Sequence, residues 1–168
     1  KNGSRFDNDV FVDHKDLYLK LRARAMGANP KYNPETYWKL DSYTYEHGVG
    51  DSAFAYASET LGNLLKKFPP KSPQIRDWVK VQDEIFGIAT QKDFIPKALP
   101  KSADPFLQDA RNYQIGAVNF YLKKFEKAAS IFQTLADKPN SPYQKTASYM
   151  VLRTKARQIL EGDEAGDA

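Results

Sequence analysis

The residues best suited to metal binding or proton transfer are two histidines, His14 and His47, and no second histidine stands four residues from either. Both therefore read as surface or helix-end residues. Asp7, Asn8, Asp9 and Asp13 have the acidic density of a calcium loop. Such a loop needs glycine at its sixth position and glutamate at its twelfth, where Val12 and Tyr18 stand. Asp83 and Glu84 are adjacent carboxylates, but neighbouring helix residues point about 100° apart and do not converge on one substrate atom. Glu46 and Glu59 are acids with nothing in the sequence to select either. Cysteine is absent, which excludes a thiolate nucleophile, a thiolate metal site and a disulfide framework. No glycine-rich phosphate loop, nucleophile elbow or Walker-type lysine is present. The chain is read as a non-enzyme that needs no metal or cofactor.

Aromatic residues offer binding rather than chemistry. Tyr32, Tyr37, Trp38, Tyr43 and Tyr45 cluster in one short stretch. Such a cluster suits a peptide, a sugar or a nucleobase, and equally suits packing between helices. Charge is uneven. Residues 111–160 carry nine Lys and Arg against two acids, and four acids with no base follow in 161–168. A basic stretch suits an acidic partner such as nucleic acid, and also suits a solvated helix surface.

The elements that would carry these residues are helical. The chain has 168 residues, is 41% hydrophobic and 27% charged, and so can bury the core of one globular domain. It contains no apolar run of the roughly 18 residues that a spanning helix needs. It begins at Lys1 rather than Met, and reads as one domain, 1–168, with tails at 1–8 and 161–168, processed or cut from a longer chain. Periplasm and cytoplasm both remain open. Four of the prolines that follow a capping residue are read as helix starts: Asn33-Pro34, Ser72-Pro73, Asp104-Pro105 and Ser141-Pro142. The cap accepts an early helix N–H, and proline lacks the N–H that would be orphaned next. Each pair marks a helix start, and Ser141 with Gln144 suggests a capping box. The starts are 39, 32 and 37 residues apart, an interval typical of helical repeats.

Apolar spacing fills in the helices. Phe54, Ala57, Leu61, Leu64 and Leu65 form one stripe, and Ile75, Trp78, Val79, Ile85 and Phe86 another. The spacing predicts helices at about 10–26, 34–47, 51–67, 73–87, 105–122, 124–137 and 142–160. Gly48 and Gly50 turn the chain between the second and third, which pair. Pro96 and Pro100 leave 89–101 as a short or irregular helix. No strand alternation is sustained.

Asp109–Pro142 resembles a tetratricopeptide repeat. Ile115-Gly116 stands at the family's Leu-Gly place, Phe125 at the turn, Ala128 at the small position and Phe132 four residues on. A step of 34 residues back from Asn112 reaches Trp78, the large residue of the preceding first helix. Asn119, Leu135 and Gln82 depart from the pattern, standing where the family has Tyr, a small residue and Gly. Gly116 and Ala128 are expected to face each other closely. The resemblance implies an all-α, right-handed solenoid of antiparallel helix pairs that binds a peptide or protein on its concave face as a scaffold or interaction module. It places Tyr113, Phe120 and Tyr121 as partner contacts. Arg153 and Arg157 join them from the last helix. The family's cationic carboxylate clamp does not carry over, because Tyr113, Ala117 and Phe120 occupy those places. The alternatives are a helical accessory domain of a larger enzyme, as in bacterial cell-wall enzymes, or a polyanion binder using 111–160.

The last helix carries apolar residues on two sides. Ala147, Met150, Val151 and Thr154 lie on one, and Tyr149, Leu152, Ala156, Ile159 and Leu160 on the other. The second side is expected to be covered by a further segment, another subunit or the N-terminal region, or by the preceding helices. Leu152, Ile159 and Leu160 open to solvent in a lone chain would overturn that expectation.

Overall fold

A computed structural model of the chain describes residues 13–29, 49–86 and 94–161. Those residues are all-helical, with no strand among them. The helices are α1 (His14–Met26), α2 (Val49–Lys67), α3 (Pro73–Phe86), α4 (Pro105–Tyr121), α5 (Phe125–Ala136) and α6 (Gln144–Glu161). None of them is long and apolar enough to cross a membrane. The expected helix at 34–47, the aromatic cluster at 32–45, His47, Glu46 and the Asp7–Asp9 run lie outside the described residues.

The capping residues act as their chemistry dictates. Asp13 accepts the Asp16 N–H at 3.0 Å and starts α1. Asp104 accepts the Phe106 and Leu107 N–H groups at 2.9 and 3.4 Å, with Pro105 inside the first turn of α4. Ser72 accepts the Ile75 N–H at 3.4 Å. Ser141 departs from expectation. Its hydroxyl accepts the Tyr143 N–H at 3.3 Å and donates to buried Asp109 at 2.9 Å, so α6 starts at Gln144, two residues after Pro142. The capping box is replaced by a tie back to α4. Residues 94–100 hold no helix, so the described part of the expected 89–101 helix is irregular chain. Glu161, expected in the tail, is the last residue of α6 and holds Arg157 at 2.6 Å.

The core is built from clusters that meet along α3 and α4, where Leu107 and Ala110 join the first and Val118 packs with Val81 and Ile85. Helices α1, α2 and α3 enclose Tyr18, Phe54, Leu61, Leu64, Ile75 and Phe86. Phe86 lies 4.7 Å from Phe54 and meets Tyr18 edge-on at 5.2 Å. Arg22 of α1, only 8% exposed, grips Asp83 of α3 through Nε and Nη2, the latter at 2.6 Å. Helices α4, α5 and α6 enclose Phe120, Phe125, Ala128, Phe132, Met150 and Val151. The turn between α4 and α5 places Lys123 in the left-handed region, with φ 55°. Gly116 sits against the Phe132 ring: an added Cβ would stand 2.7 Å from Phe132 Cε1. The three atoms nearest that Cβ all belong to Phe132. Ala128 is fully buried in the same cluster.

One expectation about α6 is corrected. Ala147, Met150, Val151 and Thr154 are buried against α5, as the projection requires. The opposite side is open in the single chain, with Tyr149 51%, Leu152 70%, Ile159 85% and Leu160 79% exposed. Helix α6 packs on α5 along one side, so neither the preceding helices nor 94–101 cover the other.

Two outcomes follow from this packing. Gly116→Ala is expected to cost about 1–3 kcal/mol by overpacking, although alanine is the better helix former by about 1 kcal/mol. The cost should shrink in a Phe132→Leu background, a coupling that chemical denaturation of the four chains measures. The Lys67 ammonium, 2.7 Å away, together with the cap N–H groups, holds the Asp104 carboxyl below its ordinary pKa. Its stabilisation is therefore present above the ordinary carboxylate range and lost as pH falls through the lowered value. Asp104→Ala should cost about 1 kcal/mol at neutral pH and less in acid, read by denaturation at the two conditions.

Candidate binding cleft

A cleft opens between the two halves of the described structure, where α2, α3, α4 and α6 converge. It holds about 620 Å³ of unfilled space, its solvent-open part included. Small side chains make the room: Ala53 and Ala57 from α2, Ala110 and Ala117 from α4. Large side chains bound it, with Tyr56 from α2, Trp78 and Phe86 from α3, Tyr113 and Tyr121 from α4, and Met150 from α6.

Tyr113 stands at the junction of this wall. Its ring stacks on Tyr143 at 5.4 Å, meets Phe132 at 5.4 Å and leans on Tyr56 at 6.2 Å. Thr60 and Tyr143 share a hydroxyl hydrogen bond of 2.9 Å that ties α2 to the chain entering α6. Burial pushes the Tyr113 and Tyr143 phenols well above their ordinary pKa, because a phenolate there would lose its hydration. For Tyr143 the Thr60 bond partly opposes that rise. Both phenols are neutral hydrogen-bonding groups at physiological pH, not bases.

Two glutamines form part of the cleft lining. Gln114 Nε2 donates to the Trp78 carbonyl at 3.2 Å and to Gln82 Oε1 at 3.1 Å, joining α4 to α3. Arg111 reinforces the same seam, donating to Gln114 Oε1 at 3.1 Å, the Lys97 carbonyl at 3.0 Å and Asp77 at 2.6 Å. The Trp78 indole N–H is buried and has no acceptor among the described residues.

Among the described residues that line the cleft, Arg153 carries the charge, and none is an acid, histidine or lysine. Its guanidinium lies 5.2 Å from the Phe120 ring centroid. No group of three or more metal-ligating side chains occurs among the described residues. The arrangement presents a mainly apolar and aromatic wall with a few polar side chains and one arginine.

The sequence-selected residues separate here. Tyr113, Tyr121 and Arg153 come together in the cleft. Phe120 does not join them: it is 4% exposed and packs with Phe125 at 5.8 Å. Its apolar ring is buried beneath Arg153. Arg157 is held to Glu161 one turn on and does not line the cleft. Within the basic 111–160 stretch, Arg111, Lys123, Lys138 and Arg157 are engaged in ion pairs, which lowers the positive charge left for a polyanion. Sequence reasoning missed Tyr56, Gln82, Gln114 and Tyr143. One signal was present: Gln82 stands where the repeat pattern has glycine, and Gln114 follows it 32 residues on.

The buried phenols make the fold sensitive to alkali. Their folded pKa values are raised, so their stabilisation is fully present below the ordinary tyrosine pKa of about 10 and lost as pH rises toward the folded values. Denaturation between about pH 8 and 12 should show falling stability, with a shallower fall in Tyr113→Phe. In comparisons with known proteins, no family model, no curated protein and no solved structure matches the chain.

Proposed function

We propose that the chain is a binding module, a tetratricopeptide-like right-handed solenoid of antiparallel helix pairs that holds a peptide or protein partner in its cleft. The observation that carries this reading is the cleft lining: tyrosines and small apolar residues around a solvent-open gap, one arginine, and no acid among the described residues. Tyrosine and arginine are the side chains that most often anchor such contacts, because they bury large area and still offer donors. The solenoid part of the reading rests on the α4–α5 pair. Gly116 seats the Phe132 ring there, as close antiparallel helices require, and the proline-marked helix starts recur at repeat intervals. The partner segment is apolar or aromatic, with an acidic group placed to meet Arg153.

A peptide array that varies apolar and acidic positions tests the reading. Peptides pairing an aromatic residue with a nearby acid should bind best. Ala117→Leu, which fills the cleft from its wall, should weaken binding at least about tenfold while thermal unfolding stays close to that of the parent chain. Arg153→Gln should weaken the acidic peptides and leave neutral ones unchanged. Binding that survives Ala117→Leu at full strength would place the partner surface elsewhere.

A further inference from the structure

A second, smaller gap adjoins the cleft and carries the opposite charge. It holds about 310 Å³, its solvent-open part included, and shares Tyr56, Thr60, Tyr113 and Tyr143 with the cleft as lining. Phe106, Asn63 and Glu59 line the smaller gap and not the cleft. Among the described residues that line it, Glu59 alone is charged, and it is exposed. Contacts between α2 and α4 set the order of the two gaps. Lys67 meets Asp104 at 2.7 Å and Tyr56 meets Tyr113 at 6.2 Å, so the two helices run antiparallel along the groove. In that register Phe120, whose ring centroid lies 5.2 Å from the Arg153 guanidinium, stands level with the first residues of α2. Glu59 lies about nine residues along α2 from that level, about 13 Å at 1.5 Å per residue. Among the described residues no cation pairs with Glu59 and no carboxylate pairs with Arg153.

We infer that the two gaps form one groove for an extended peptide segment with an acid and a base four residues apart and an aromatic residue midway: the acid meets Arg153, the ring enters the cleft, and the base meets Glu59. The inference rests on the reading of the cleft as a binding site and adds the charge pattern and spacing of the partner. In an extended chain alternate side chains point the same way, and each residue advances about 3.3 Å. The first, third and fifth residues therefore face the groove together and span about 13 Å, the separation of the two charges along α2. A helical segment places residues four apart only about 6 Å from each other along its axis, too close to serve both ends. Opposite charges at the two ends fix the register of the segment and reject a like charge at either one.

End-capped pentapeptides test it, made in both chain orders and titrated into the 15N-labelled chain: Glu-Ser-Phe-Ser-Lys, the form with Gln for Lys, the form with Gln for Glu, and the form with Gln for both. The doubly charged peptide should bind most tightly. Removal of either charge should weaken binding about two- to fivefold, the size of effect an exposed ion pair produces. In Glu59→Gln the preference for Lys over Gln should vanish while that for Glu over Gln stays. In Arg153→Gln the preference for Glu should vanish and that for Lys stay. Both preferences are first read in the parent chain, so the pattern is measured whatever the variants do to folding. Equal binding of the Lys and Gln forms by the parent chain, with Ala117→Leu still weakening both, overturns the inference and leaves the cleft reading standing. A preference for Lys that persists in Glu59→Gln also overturns it, because the base then meets another group. No binding by any of the peptides up to millimolar concentration overturns both.

Discussion

The contact on which the rest of the structure depends is the buried polar seam between α3 and α4. Gln114, 2% exposed, bonds the Trp78 carbonyl and Gln82, while Arg111 bonds Gln114, the Lys97 carbonyl and Asp77. Apolar clusters hold each half of the molecule together and also cross between them, as where Val81 and Ile85 of α3 meet Val118 of α4, but apolar contact is non-directional and permits many relative positions. Hydrogen bonds between buried groups permit few, because any misplacement strands a donor or acceptor away from water. The seam thus sets how far apart the halves stand, and with that the width of the cleft. Arg22 on Asp83 does the same for α1 against α3, and Asp109 with Lys138 and Ser141 does it for α4 against the entry to α6.

The cleft follows from what the seam keeps apart. Ala53, Ala57, Ala110 and Ala117 are too small to close the gap, and Tyr56, Tyr113 and Tyr121 are too rigid to fold into it. Tyr113 holds several walls at once through its contacts with Tyr56, Phe132 and Tyr143. Truncating it would therefore loosen the core as well as the site.

The open side of α6 has a different physical character. Tyr149, Leu152, Ile159 and Leu160 repeat at helical spacing along one face, yet no described residue covers them. The buried side of the same helix, from Ala147 to Thr154, is apolar and packs on α5. Apolar periodicity reports that a face can be buried. Whether a neighbour is there to bury it depends on the packing of the whole chain.

The sequence by itself determined the helical class, the starts of α3 and α4 at Ser72 and Asp104, and the buried stripes from Phe54 to Leu64 and from Ile75 to Phe86. These were legible because capping and 3.6-residue periodicity are local, set by residues within a turn or two of one another. Gly116 was legible as a close approach, but the Phe132 ring that presses on it was not, because the packing of α5 on α4 places that ring. Ser141 read as the cap of a capping box with Gln144, and in the structure its hydroxyl also donates to Asp109, 32 residues away in the chain. Phe120 and Tyr121 are adjacent aromatics that the sequence could not tell apart, and the fold sent one into the core and the other to the cleft. The cleft itself, with Gln82, Gln114, Tyr143 and Trp78 gathered from separate segments, belongs to the tertiary structure alone. Which distant side chains share a wall is set by how helices pack, and no local pattern encodes that.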